Sequence, residues 1–578
     1  MEIVPVFEPL ENVGLSEPEL HSLVPDGLNY EVLLFQPKGD IEINPLLKNR
    51  NSELAGKQFG QFIEYVESLN VDLAVTPEYS MPWDVVFKYL ENEHRPNLGK
   101  LWVFGCESIT LSQLKQIEEQ LKDKVTFIYE NIESREDKFV SPLVYLFQAP
   151  EKHNHANYRM VAIVQFKNYP MSDADRYEAD GLNLGSVVYG FGFNSSESVR
   201  LISLICSDTF IFSEENARSV YNNGLILSIQ MNKDPRHDTF ISCRHDLLKY
   251  QGDKTEIICL NWASDIVMDN ENWKNISGSA WYLKSTECDT RDNILIRNHK
   301  RGLYYTWHQS NHAHSLFFNY DPLIFHVVAT KVTHIGVPGV GPKRVGPKLL
   351  RTYEWHVIND SWSEIESIDD KFCDLVNEFG LVKDKLVPIS ISNPIEVERI
   401  LALSTGSVIS SNWFEVQQLD SCVIGNDEIL KRVTFAQDTH PNAINFRRDR
   451  LKRFKTLCEI VTDEKLPPSV SINQDDYSFC WSKERPNQNL HMGNGEFATI
   501  VYVGDQPSIN ELDTISQIIA GNLQRGFDEP DESYHARQKL AVLYRNSENE
   551  IVIYDRFRKY AKIDQDPTES EFDIGRKE

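Results

Sequence analysis

Short apolar runs that stop at a reactive side chain constrain this chain more than any other feature of it. In the first 330 residues such runs alternate with stretches whose apolar residues recur at helical spacing. Residues 30–35 (YEVLLF) form the first run, and Phe59, Phe62, Ile63, Val66 and Leu69 then mark one face of a helix. Further runs lie at 73–75, 100–105, 144–147, 160–166, 199–206, 225–230 and 256–262. Helical stretches are expected around Phe210, Phe212, Ala217 and Val220, and again at 244–250. Repeated alternation of this kind specifies an α/β domain. In such sheets functional side chains collect beyond the carboxyl ends of the strands. Three runs end there on a side chain with chemistry: 73–78 (LAVTPE) on Glu78, 160–167 (MVAIVQFK) on Lys167, and 201–206 (LISLIC) on Cys206.

A carboxylate, an ammonium and a thiol are the set needed to attack a carbon–nitrogen bond through sulfur. A thiol is a poor nucleophile until a base takes its proton. Glu78, aimed by the preceding proline, can do this and return the proton to a leaving amine. Lys167 supplies positive charge where an oxyanion develops. Cys206 sits at a strand-to-helix turn, so the amide of Ser207 is placed to help hold that oxyanion. Each residue alone has a plainer reading, a small core cysteine or a solvated charge; the ordered set carries the inference.

These segments resemble the carbon–nitrogen hydrolase (nitrilase) superfamily over about residues 28–330. Residues 73–78 look like that family's strand ending in Pro-Glu. Residues 201–208 (LISLICSD) look like its nucleophile strand, with an acid two positions after the cysteine. The separations, 89 residues from Glu78 to Lys167 and 39 from Lys167 to Cys206, are similar to the family's. The stretches 230–232 and 260–262 fall where the family has later core strands. The resemblance implies an α-β-β-α sandwich, a Glu-Lys-Cys triad, and a homodimer or larger homo-oligomer built by pairing sandwiches. It implies no cofactor and no metal. It also implies a second acid soon after the lysine. Asp173, Asp175 and Glu178 all qualify, and Asp175 is favoured because Asp175-Arg176 echoes an acid-Arg pair in several branches. Two departures bear on substrate. Gln165-Phe166-Lys167 replaces the family's usual Tyr-Arg-Lys, and Ser207 stands where simple nitrilases carry an aromatic. Amide hydrolysis or transfer, rather than nitrile hydrolysis, is therefore expected. Nitrilase-like domains also occur beside other bacterial enzymes, including reverse transcriptases of anti-phage systems. The alternative reading is thus a regulatory or scaffold protein of a bacterial anti-phage defence system, which uses the nitrilase-like domain for assembly and the C-terminal domain for partner or nucleotide recognition.

The chain has 578 residues, enough for two or three domains. A Gly/Pro-rich segment, 334–347 (HIGVPGVGPKRVGP), is expected to be a linker or surface loop within 331–350. It separates the first domain, 1–330, from an accessory α+β domain at 351–578. Helices are expected there at 365–381, 395–403 and 443–461, and strands at 499–503, 540–544 and 551–554, the last two joined by a turn at 545–550. The formal net charge of −27 argues against general affinity for nucleic acid or anionic membrane. Against that background, the segment from Phe446 to Lys455 (FRRDRLKRFK) is exceptional, with six basic residues in ten. It reads as an amphipathic helix that either pairs with the chain's own acids or docks a nucleic acid or acidic partner. His308, His312 and His314 are spaced HxxxHxH, but a strand–turn–strand would spread them apart and no metal is expected. Nine cysteines without a CxxC pair fit a reduced, cytoplasmic protein. No apolar run reaches eighteen residues, so no transmembrane helix is expected, and the N-terminus does not read as a secretory signal.

Overall fold

A computed structural model of the chain describes residues 1–133, 138–171, 177–195, 197–220, 223–235, 237–250, 255–275, 277–284, 303–308, 313–332, 347–365, 375–416, 418–419, 431–433, 441–463, 466, 470 and 477–556. The chain divides into two compact units, Met1–Ser367 and Ile368–Glu578.

In the first unit, the strands Asn29–Gln36, Leu73–Met81 and Leu101–Cys106 run parallel to one another. Pro142–Glu151 pairs antiparallel with the last of these, then with Asn154–Phe166. The alternate residues Leu33 and Phe35, with Ala74, Trp102, Phe104, Val144, Leu146, Ala162 and Val164, form one core layer with Phe59, Phe62, Ile63, Val66 and Val86 of the covering helices. That is the two-residue period of strands meeting the 3.6-residue period of helices. The first of these covering helices, Ser52–Leu69, begins where Asn51 accepts a hydrogen bond from the Leu54 amide (3.0 Å) and ends at Asn70, with φ +51°. A second sheet pairs Arg200–Ile205, Gly224–Ile229 and Glu256–Leu260 in parallel, followed by Ala280–Lys284 and Ala313–Phe318 antiparallel. Polar groups join the two sheets. The Tyr30 hydroxyl donates to Glu256 (3.3 Å), and the Gln165 amide donates to the Ser203 carbonyl (3.0 Å).

The first unit is longer than the sequence reading placed it. Lys348–His356 pairs antiparallel with Leu323–Thr330, and Ser361–Glu364 pairs with Lys348–His356, so both extend the first sheet. Trp362 and Tyr353 enter its core, which is why residues after 350 belong here and not to the accessory domain. Residues 333–346, most of the expected linker, lie outside the described residues. The helix expected over 210–220 is two pieces, a 3-10 turn Cys206–Ile211 and a helix Glu214–Ser219. Ser213 separates them by capping the second, accepting from the Asn216 amide (3.2 Å). Among the histidines, His308 and His314 lie on paired antiparallel strands, with His308 opposite Ala313 and His314 opposite Trp307, and His312 lies outside the described residues.

The second unit carries the helices Leu381–Ser392, Pro394–Ser404 and Pro441–Thr462, matching the expected 395–403 and 443–461. Residues 366–374 of the expected helix at 365–381 lie outside the described residues. Phe497–Asp505 and Leu540–Arg545 pair in parallel, and Ile551–Tyr554 closes a hairpin on the latter. The parallel pair requires a crossover, supplied by Ile509–Arg525 and Pro530–Gln538. In the basic helix Leu451, Phe454, Leu457 and Cys458 are buried. Its cations pair with the chain's own acids, among them Arg450 with Glu398 (3.0 Å), Arg453 with Asp449 (2.7 Å), Arg448 with Glu378 (3.2 Å) and Lys455 with Glu459 (3.8 Å).

Candidate active site

Cys206 follows directly on the strand Arg200–Ile205 and opens the 3-10 turn. Its φ is +44°, a left-handed conformation that costs a non-glycine residue about 1–3 kcal/mol. The turn holds because Asp208 folds back beneath it. One oxygen of Asp208 accepts from the Ile205 amide (3.3 Å), and the other accepts from the amides of Asn168 (2.7 Å) and Tyr169 (3.0 Å). The Ser207 hydroxyl donates to the Tyr169 carbonyl (2.6 Å). The nucleophile turn and the segment after Lys167 are therefore tied together by hydrogen bonds. Burial pushes the Asp208 carboxyl up to about 7, with the Asn168 amide acting against it.

Glu78 lies inside the strand Leu73–Met81, which runs past the end at Pro77-Glu78 read from the sequence. Its pairing with Leu101–Cys106 shifts between Thr76 and Met81, and Tyr79 adopts φ +58°. This bulge presses on Gly105. A Cβ there would meet the Pro77 carbonyl oxygen at 2.2 Å, so only glycine lets the bulge close. The Ser80 hydroxyl donates to the Pro77 carbonyl (2.7 Å), and the Trp262 indole donates to the Glu78 carbonyl (2.8 Å). The carboxylate itself accepts from the Met231 amide (3.1 Å) and, at a long 3.4 Å, from the Ser141 hydroxyl.

Lys167 follows the strand Asn154–Phe166 and is anchored by its own amide donating to the Ser141 carbonyl (3.0 Å). Its ammonium meets Glu78 Oε1 at 2.8 Å and both oxygens of Glu178, at 2.7 and 2.8 Å. The groups are sealed from solvent, with Lys167 and Cys206 0% exposed and Glu78 1%. Burial alone would strip the charge from the lysine, but Glu178 and Glu78 outweigh it and hold the ammonium well above the ordinary range. One cation serves two carboxylates, and Glu78 shows the imbalance. Burial raises it to about 7, with Lys167 opposing and Glu178 reinforcing the rise. Burial also drives the Cys206 thiol well above its usual value; Glu78 adds to this, Lys167 counters it, and the Met231 amide favours the thiolate. The resting site thus holds a thiol, an ammonium and a carboxyl group poised to titrate near neutrality.

Glu78, Lys167 and Cys206 lie together in the first unit. Asp175, the favoured second acid, and Asp173 lie outside the described residues. Glu178, the third acid in that window, contacts the lysine. Besides the two contacts to Lys167, it accepts from the Tyr79 hydroxyl (2.7 Å) and the Met171 amide (2.6 Å). Tyr79, Ser141, Met171 and Met231 were not read as site residues. Tyr79 adjoins Glu78, but nothing in its sequence context shows that a bulge turns it toward Glu178. The later segments also close the site. The Asn232 amide donates to the Asn261 side chain (3.0 Å), which also accepts from the Trp262 amide (2.9 Å).

No protein-family model matches the chain, and no curated protein matches it. Among solved structures it is similar to a glutamine-dependent NAD+ synthetase from Acinetobacter baumannii, at 11% identity and a TM-score of 0.30 over 68% of this chain. The chain spans 57% of that synthetase's length. A CN-hydrolase superfamily protein from Xanthomonas campestris matches 44% of this chain and 82% of its own, at 10% identity and a TM-score of 0.27. A mutant of a Nesterenkonia amidase from the nitrilase superfamily matches 45% of this chain and 84% of its own, at 13% identity and a TM-score of 0.25.

Proposed function

We propose that the first unit is an α-β-β-α sandwich that hydrolyses or transfers a group at a carbon–nitrogen bond, most simply an amide, through Cys206. The observation that carries this reading is the sealed Lys167 ammonium, held between Glu78 and Glu178 beside a thiol on a strained turn. In the first step Glu78 takes the thiol proton as sulfur attacks the carbonyl carbon. Lys167 and the Ser207 amide stabilise the oxyanion. The tetrahedral adduct collapses, Glu78 returns the proton to the departing amine, and the carbon–nitrogen bond breaks. Glu78, again a carboxylate, then takes a proton from water, or from an acceptor amine, as it attacks the thioester carbon; the carbon–sulfur bond breaks, and Glu78 returns the proton to the Cys206 sulfur. Glu178 holds no reacting atom; it keeps Lys167 charged and in place.

The test is intact-mass analysis with a panel of carboxamides, looking for a thioester adduct on Cys206. The reading expects an adduct that Glu78→Gln slows and Cys206→Ala removes. Turnover that survives Cys206→Ala would refute it.

A further inference from the structure

We propose that Met171 is the specificity-determining residue of this site, its thioether occupying the place where an acyl group must lie and restricting the enzyme to short, narrow acyl groups. This rests on Cys206 being the nucleophile. The Met171 sulfur lies 3.9 Å from the Cys206 sulfur. An acyl carbon bonded to that sulfur must occupy space beside it, on a side where Met171 already stands. With Cys206 0% exposed, a reactant reaches the thiol only as neighbouring side chains give way.

The position of Met171 is built in at the level of the backbone. Its amide donates to Glu178 Oε2 (2.6 Å), the oxygen that also meets Lys167. Two and three residues earlier, the Tyr169 and Asn168 amides are held by Asp208, and the Tyr169 carbonyl is held by Ser207. Pro170 restricts the backbone between these anchors. The residues that set the geometry of the nucleophile and the lysine therefore also fix the Met171 backbone. Its side chain, with three rotatable bonds and a polarizable sulfur, can yield to a small group at little cost. It cannot vanish, so a broad acyl group must displace it from its place against the sulfur.

Activated esters test this without knowledge of the natural substrate. Sulfur forms a bond to the acyl carbon, the ester carbon–oxygen bond breaks, p-nitrophenolate leaves with the electron pair, and the thiol proton passes to Glu78. The burst of p-nitrophenolate counts acylated sites. Wild type should favour p-nitrophenyl acetate over p-nitrophenyl benzoate. Met171→Ala should narrow that preference by about tenfold or more, the scale on which pocket volume discriminates. Met171→Leu, which preserves volume, should retain the wild-type preference and guards against a general loss of folding. An acetate-to-benzoate ratio unchanged in Met171→Ala overturns the proposal while leaving the nucleophile intact. A burst that persists in Cys206→Ala, or no burst from any protein, sinks the nucleophile reading instead, and the proposal with it.

Discussion

Replacing Glu178 by Gln removes one negative charge from the site while keeping its shape, and the consequence for Glu78 can be worked out from the geometry. Glu78 Oε1 and Glu178 Oε1 lie 2.8 and 2.7 Å from the same Lys167 nitrogen, so they are at most about 5.5 Å apart, the sum of the two. At an effective dielectric near 20, two unit charges at that separation repel by about 3 kcal/mol, or roughly two pH units on the neighbour's titration. Losing a negative neighbour favours the ionised carboxyl, so Glu78 should fall from about 7 to about 5. Below its midpoint Glu78 holds a proton and cannot accept the thiol's; above it the base is available. Acylation should therefore rise with pH through about 7 in the wild type and through about 5 in Glu178→Gln. The assay is the p-nitrophenyl acetate burst rate between pH 4 and 9, with Glu78→Gln as the control that should abolish the limb. The plateau should drop as well, because both Glu178 oxygens accept from Lys167, so in either orientation a Gln amide turns a donor toward the ammonium. The midpoint is the readout that a loss of positioning alone would not move. A midpoint that stays near 7 in Glu178→Gln would refute the charge coupling argued here.

Other perturbations read different parts of the same network. Lys167→Met leaves two sealed carboxylates without their cation and should cost about 3–5 kcal/mol of stability at pH 8, measured by urea denaturation, with part of the loss recovered at pH 5, below the Glu78 midpoint near 7. Tyr79→Phe removes one donor from Glu178 and should cost about 1 kcal/mol by the same measurement. Asp208 and Glu78 are both raised to about 7 in the folded protein, so each binds its proton more tightly there than in the unfolded chain. Their contribution to stability is full below the ordinary carboxyl range and is lost as pH rises to about 7, with a slope of about 1.4 kcal/mol per pH unit for each group. Asp208→Asn should flatten that dependence in thermal unfolding between pH 4 and 7; an unchanged slope would mean Asp208 is not one of the groups responsible.

What the sequence disclosed about the site followed from strand periodicity. A buried strand must end where its apolar run ends, and the residue at that end is placed by the strand itself. Lys167 and Cys206 were legible for that reason. Glu78 was legible as a residue but not as a geometry, because a bulge carries the strand onward to Met81 and only the tight fit against Gly105 reveals it. The crossover helix Ile509–Arg525 has the same origin as an omission. Its apolar positions Leu512, Ile519 and Leu523 are periodic, but a parallel partner for Phe497–Asp505 had to be recognised before a crossover was required.

Glu178 was hidden for a different reason, one that bears on how the site works. It lies at the start of a short helix, Tyr177–Gly181, with no apolar run leading to it, so no local pattern separated it from Asp173 and Asp175. What distinguishes it is the company of three groups, the Lys167 ammonium and the Met171 amide from the segment just before it and the Tyr79 hydroxyl 99 residues away. Each is a donor, and each belongs to a different functional part, the cation, the bulge beside Glu78 and the cover over sulfur. A carboxylate that satisfies all three at once fixes their relative positions before any substrate arrives. It also leaves Glu78 as the second carboxylate on a single cation: burial raises the Glu78 titration to about 7 against the pull of Lys167, and the negative charge of Glu178 adds to the rise. Removal of Glu178 should then both shift the titration of Glu78 and relax the Met171 backbone, so Glu178→Gln should blunt the acetate-to-benzoate preference as well as move the pH midpoint. A variant in which the midpoint moves but the preference stays at its wild-type value would show that Glu178 sets the charge of the site without setting its shape.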